Sequence, residues 1–382
     1  MKFAIACYLL VLICVPHNAD ADAVTLDYNK GLRISWGELR AKTGLRLQAD
    51  GIYSADPAVT QETTNTDLRR ARITQRLDWK NWRVRADYDW GIAPGFKNLY
   101  AEYRGFDNIR LRAGNHVAGF AMEDAESSTD LVLMERSIAN VLRPGLLQGV
   151  SYRQWGKRYS VSAGIFGDEL NDLDRRTAPG QSVVGRVTLA PLTDAKLHLH
   201  LGTAYERRSI DRGEFVRFRA RPFTRLAEQR VVDTRRITDA DTLSNLNHEL
   251  GIALGTVRLQ AELTRSEVHT SQANHNFSGY YVSLMTTIGA EPYRYSKSRG
   301  VYRGVEPKHS WGAIEIAVRL AELDLQSPGV NGGIAKETSL GLAWVINDRA
   351  QLQLNHARIR TLETNAADPD YALTGLRFQW QI

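Results

Sequence analysis

Seven arginines sit at alternate positions in three short blocks: Arg70, Arg72 and Arg76, then Arg83 and Arg85, then Arg110 and Arg112. A further block, "VRFRARP", places Arg217, Arg219 and Arg221 at the same spacing. A guanidinium stays charged at any physiological pH and offers a planar fork of donors to oxyanions. A row of them could replace part of an anion's hydration with charge-assisted hydrogen bonds, weakly and in series. Other constellations are poorer. His198-x-His200 lies on one strand face, but no nearby cysteine or acid completes a metal shell. "GDELNDLDRR" (Asp168, Glu169, Asp172, Asp174) lacks the fixed glycine and glutamate spacing of a calcium loop. The histidines at 116, 198, 200, 248, 269, 275, 309 and 356 show no motif pairing with serine or aspartate, as a hydrolase would need. No catalytic residue, metal or cofactor is therefore expected.

The arginines are threaded among large apolar residues. In "DLRRARITQRLDWKNWRVRADYDW" (67–90), Arg70, Arg72, Thr74, Arg76 and Asp78 form one set, with Ala71, Ile73, Gln75 and Leu77 between them. After Lys80-Asn81, Trp82, Val84, Ala86, Tyr88 and Trp90 alternate with Arg83, Arg85, Asp87 and Asp89. Period two means extended strands with opposite faces, and the two-residue break reads as a tight hairpin. One face is apolar and the other cationic, so the pair separates two media. The alternation recurs around Arg46, Arg110, Val161, His198, Leu259 and Phe378.

Lys2, an apolar run from Phe3 to Val15 and the small-residue site "NADADA" have the layout of a secretory signal peptide (1–21). Cleavage is expected after Ala21 or Ala23. Both cysteines, Cys7 and Cys14, lie in this segment, so no disulfide framework is expected in the mature chain. The formal charge is +6, but the cations alternate along strands rather than clustering, which argues against nucleic acid. No later stretch is long and apolar enough for a membrane helix.

Connections divide into very short ones (Lys80-Asn81, near Phe106 to Asn108, Gly156-Lys157, Gly255) and long ones (54–66, 116–147, 168–180, 207–245). Short links on one side and long ones on the other suit a transmembrane barrel, with turns in the periplasm and loops outside the cell. A soluble sandwich has no reason to sort its loops in this way. An even count gives about sixteen antiparallel strands over residues 24–382. Parity then puts 289–310 at the periplasmic end, where it is oddly long and is expected to fold back into the channel. Lipid-facing arginine at mid-membrane costs about 2–4 kcal/mol, so the arginines are expected to face a wet lumen.

"DLVLMERSIANVL", "GVSYRQWGKRYSVSAGIFGDELND", "FRARPFTRLAEQRVVDTRRI" and "FSGYYVSLMTTIGAEPYRYSKSRGVYRGVEPKHSWGAIEIAVRLAELDL" resemble the phosphate-selective porin O/P family. The MERS block (Met134, Glu135, Arg136, Ser137) and the RARP block (Arg219, Ala220, Arg221, Pro222) are its more specific parts. The resemblance implies a trimeric outer-membrane channel passing phosphate-like anions, with the third loop (116–147) and fifth loop (207–245) folded inward. Arg136 then joins the candidate anion-contacting set. Phe378 and Trp380 keep the alternating C-terminal signal that the barrel-assembly machinery reads. The chain departs from the family's pattern in its third loop: no lysine occurs between His116 and Leu133, and Glu123, Asp124 and Glu126 are acidic. Lumen arginines could instead pair with Asp78, Asp87, Asp89 or Glu102 and brace the wall of a general diffusion porin. A barrel hydrolase or a plugged adhesin are the remaining alternatives.

Overall fold

A computed structural model of the chain describes residues 25–27, 31–54, 64–170, 178–194, 196–227, 229–362 and 370–382. The expected signal segment with Cys7 and Cys14, most of the 54–66 connection, and Asp172 and Asp174 lie outside the described residues.

Period-two patterning becomes a closed sheet. Its sixteen antiparallel strands are numbered in chain order. The first eight are β1 (Leu39–Tyr53), β2 (Thr64–Trp79), β3 (Trp82–Asp89), β4 (Gly95–Tyr103), β5 (Ile109–Val117), β6 (Leu146–Trp155), β7 (Tyr159–Phe166) and β8 (Gly180–Thr193). The others are β9 (Leu197–Ile210), β10 (Ala240–Leu254), β11 (Val257–Thr270), β12 (Asn274–Ile288), β13 (Ala313–Ser327), β14 (Val330–Val345), β15 (Ala350–Leu362) and β16 (Asp370–Gln381). Each strand pairs with its sequence neighbours, and β16 closes on β1 with Trp380 opposite Leu47. Closure removes the free edges that hydrocarbon would not tolerate. An N-terminal strand, Leu32–Trp36, continues the β16 position by pairing with Leu39–Thr43.

The outer face carries Leu45, Val84, Val150, Ile165, Val187, Leu254, Leu284, Leu320, Leu340 and Leu354, all exposed. Trp79, Trp82, Trp311 and Trp344 are exposed near the short-turn end, as an interfacial aromatic belt requires. Among the described residues no helix is long and apolar enough to cross a membrane. The expected alternation of short and long links holds for only part of the chain, because the connections 90–94, 271–273 and 328–329 are also short.

The wall is uneven. Strands β3 to β7 have 8, 9, 9, 10 and 8 residues, whereas β8 to β16 have 12 to 16. Three segments fill the lumen against the tall part: the loop 118–145, the loop 211–239 and the short-turn-end connection 289–312. Apolar residues of 211–239 (Val216, Phe218, Ala220, Val232) pack on inward Leu323, Leu325, Ile359 and Leu373.

An arginine on the lipid face should report the membrane directly. Leu320→Arg, at mid-height and 55 % exposed, is expected to destabilise the barrel by about 2–4 kcal/mol in urea titration from lipid vesicles. Tyr53→Arg, at the loop-end rim, is expected to cost about 1 kcal/mol or less.

Candidate functional site: the inner wall of the barrel

The wall from β1 to β7, termed the low wall for its short strands β3 to β7 although β1 and β2 have 15 and 16 residues, presents the alternating cations inward. Arg46 stands opposite Arg72, and Arg76 stands between Lys42 and Arg85. Arg83 lies between Asp78 and Glu102, and Arg110 is opposite Arg153. Directly opposed like charges disfavour a strand pair, so these positions need compensation. A β-bulge between Gln48 and Ala49 interrupts the period. As a result consecutive Arg69 and Arg70 both reach inward groups, Glu135 and Gln48.

The cations divide into two classes. Arg72 binds Asp89 at 3.0 Å, and Arg85 binds Asp87 at 2.9 and 2.8 Å. Arg83 holds both oxygens of Asp78 at 2.5 and 2.8 Å, and Arg112 binds Glu102 at 2.6 Å. Among the described residues, no carboxylate pairs with Arg46, Arg70, Arg76, Arg110 or Arg153. Arg46 donates to Ser128 Oγ at 3.2 Å and Arg70 to Gln48 Oε1 at 2.5 Å. Arg110 donates to the carbonyls of Phe106 and Ile109 and stacks 4.9 Å above Trp155. Arg76 leaves its Nε buried without a partner.

The loop 118–145 lies inside and is tied to the tall wall by its backbone. Glu262 accepts from the amides of Met122 and Glu123 at 3.0 and 2.8 Å, and Asn355 accepts from that of Met134 at 2.6 Å. Gln353 donates to the carbonyls of Leu131 and Val132 at 2.7 and 3.0 Å. Irregular backbone is tolerated at membrane depth only when it is satisfied within the protein. Leu133, Met134 and Ile138 pack against the wall. Leu133 Cδ2 comes within 2.6 Å of where a Cβ on Gly341 would stand, so any larger residue there would displace the Leu133 side chain.

Of the three acids that distinguish this loop, Glu123 and Glu126 pair with arginines, whereas Asp124 keeps a buried Oδ2 without a hydrogen-bond partner among the described residues. Arg143 and Arg319 bind Glu123 at 3.0 and 3.3 Å, and Arg258 binds Glu126 at 3.1 Å. Glu135 is held by Arg69 and Arg377. Burial pushes Glu135 up, but the charges of Arg69, Arg377 and Arg70 outweigh it and hold it well below the usual glutamate range. Glu126 goes the other way: burial raises it, Arg258 opposes, and Glu123, Asp130 and Glu262 add to burial, leaving it at about 7.

Each arginine proposed from sequence now has a place. Arg70, Arg72, Arg76, Arg83, Arg85, Arg110 and Arg112 share the low inner wall, four of the seven occupied by acids. Arg136 caps the loop's helical turn, Met122–Ala125, donating to the carbonyls of Glu123, Asp124 and Glu126. In 211–239, Val216, Phe218 and Ala220 pack on the wall, so strand alternation sends Arg217, Arg219 and Arg221 to the opposite side. Arg217 is bound there by Asp233. Arg46, Arg69 and Arg153 were missed, although Arg46 alternates with apolar Leu45 and Leu47 in the same way.

Histidines are structural. His200 bonds the Tyr295 hydroxyl and Glu249 at 2.6 and 2.9 Å, and His198 stacks on Tyr295. His116 lies 2.7 Å from Ser151 Oγ, but its other nitrogen meets the carbonyl of Gly114. His116 is buried, and the pair lacks the carboxylate that orients a catalytic histidine. Among the described residues no cluster of ligating side chains could hold a metal.

Comparison with known proteins adds the following. The sequence profile of the family described as phosphate-selective porin O and P matches residues 41–382. Among curated protein sequences none matches. In structure the chain is similar to the outer-membrane protein OmpT of Vibrio cholerae in its trimer form (10 % identity, 90 % and 99 % of the two chains, TM-score 0.57). It is similar also to an anion-selective porin from Comamonas acidovorans (11 %, 90 % and 100 %, 0.57). Pseudomonas putida OprB at high pH is a third such fold (10 %, 90 % and 94 %, 0.60).

Glu126 gives a pH test. A carboxyl raised in the docked loop binds its proton more tightly there than in a released loop. Docking is therefore strongest at and below the ordinary glutamate range and weakens as pH rises through about 7. Amide exchange of Met122 and Glu123 in the wild type should accelerate beyond its intrinsic base-catalysed rise over that window, by at most about tenfold per pH unit. Glu126→Gln should remove the excess.

Proposed function

The chain belongs to the phosphate-selective porin O and P family, and from that premise we propose that it is a passive outer-membrane channel for small phosphate-like oxyanions. The observation that carries this reading is the set of five inward arginines without an acidic partner: Arg46, Arg70, Arg76, Arg110 and Arg153. A permeating oxyanion takes the place of the missing carboxylate at each one in turn. The forked donors of arginine suit it, and several weak sites in series allow release as well as capture. Arg72, Arg83, Arg85 and Arg112 hold the wall in shape and lend field rather than contacts. On the outer loop, Arg217, Arg219 and Arg221 gather anions at the mouth.

The acidic third loop does not oppose this, because Glu123 and Glu126 are neutralised against the wall. No catalytic centre takes part. A general diffusion channel would fit better if every lumen arginine were paired.

The same reading makes the protein a homotrimer joined through the low wall. Strands of 8 residues fall short of the about 9–11 that a bilayer requires. The outer face of this wall carries small Ala86, Ala101 and Ala113 on β3, β4 and β5 and, between the longer β1 and β2, a polar contact, Thr43 Oγ1 to Gln75 Oε1 at 2.9 Å, which suit a subunit contact better than lipid. Export through the expected signal peptide and insertion through the β16 signal by the assembly machinery complete the reading.

Planar-bilayer recordings of variants test the charge assignment. Combined alanine at Arg46, Arg70 and Arg76 is expected to lower the anion-to-cation permeability ratio by about tenfold or more. Alanine at Arg219 and Arg221 should lower the anion on-rate by a smaller factor. An unchanged ratio in the triple variant would contradict the unpaired arginines as the filter.

A further inference from the structure

The inward connection 289–312 is built for docking, and the following rests on the channel reading. Its tip is a small hairpin, Tyr295–Ser296 paired with Val301–Tyr302. Gly300 closes it with φ +62° and its amide donates to Ser296 O at 2.8 Å. A Cβ at Gly300 would stand 2.5 to 3.0 Å from the Thr188 side chain, so the tip reaches the wall only because that residue has none.

Among the wall residues that hold the tip, Arg186 makes the most hydrogen bonds to it. Arg186 on β8 donates through Nε and Nη2 to the two oxygens of Glu249, at 2.7 Å each. Its Nη1 and Nη2 also donate to the carbonyls of Arg299 and Gly300, at 2.8 Å each. His200 stands behind. The Glu249 carboxylate can only accept, so Nε2 carries the proton toward it, and the Tyr295 hydroxyl donates to Nδ1. On the other flank Arg258 lies between the rings of Tyr293 and Tyr302 at 4.9 and 5.3 Å, and the Tyr293 hydroxyl donates to Glu315 at 2.6 Å. The far edge of the connection meets the constricting loop. The Gly304 amide donates to Asp130 Oδ2 at 3.2 Å, and Met122, Val132 and Leu133 share an apolar cluster with Tyr293, Val301 and Tyr302.

We propose that Arg186, supported by Glu249 and His200, is a positioning residue that anchors this connection as an internal strap. The strap narrows the channel from the turn end and props the loop 118–145 from below, so the size limit for permeant anions is set from both ends of the barrel. Anion preference lies elsewhere, on the low wall.

Single-channel recording of the purified full-length protein tests this with two variants. Arg186→Lys keeps a positive charge beside Glu249 but has no fork to span the carboxylate and both carbonyls. Gly300→Val leaves every wall residue intact and drives a branched side chain into Thr188. Each is expected to raise conductance by at least about twofold and to admit bulky organic phosphates that the unmodified channel excludes. The anion-to-cation ratio should stay the same, which a general collapse of the lumen would not allow. If Arg186→Lys does not assemble, Gly300→Val decides. Conductance and size limit unchanged in an assembled variant, beside a conducting unmodified protein, would overturn the strap and leave the channel reading standing. No current from the unmodified protein would overturn the channel reading, and the strap with it.

Discussion

A closed sheet forces every charge on its strands to choose between hydrocarbon and lumen, and hydrocarbon is closed to unpaired guanidinium. Once inside, each arginine meets a second choice: a carboxylate of the protein or an ion from solution. The low wall contains both outcomes side by side. Arg83 and Arg85 are occupied by Asp78 and Asp87, while Arg46, Arg70 and Arg76 hold only neutral groups or none. An arginine without a carboxylate can take an anion from solution in its place, and the proposed channel reading rests on that difference.

The two halves of the barrel do different work. The tall half, β8 to β16, gives its inward side chains to holding three insertions: Glu262, Asn355, Gln353 and Arg319 bond the third loop, and Arg186 bonds the strap. Within it Arg186 pairs with Glu249 and Arg319 with Glu337. The low half keeps its cations partly free and faces the remaining space. A channel lying against the low half therefore runs off the barrel axis, between fixed insertions and a cationic wall.

Much of this could be read from alternation. The apolar-out, charged-in period of residues 70–90, the count of sixteen strands and the inward return of 289–312 all follow from period and parity. The pairing of individual arginines could not. Asp89 and Asp78 lie in the same short stretch as Arg72, Arg76 and Arg83, and only cross-strand register decides which arginine each acid takes. The β-bulge at Gln48 is also silent in sequence, so strict alternation gives no sign that Arg69 and Arg70 both turn inward. The partners of the third-loop acids are silent for the same reason: Glu123 and Glu126 pair with Arg143, Arg319 and Arg258, which lie from 20 to 196 residues away in the chain.

The central claim is that uncompensated guanidinium makes the lumen prefer anions. Reversal potential under a potassium chloride gradient measures that preference most directly, using the unmodified protein in a planar bilayer. The account predicts a potential displaced toward the chloride equilibrium value, with phosphate then reducing chloride current by competition. A potential on the potassium side would contradict it.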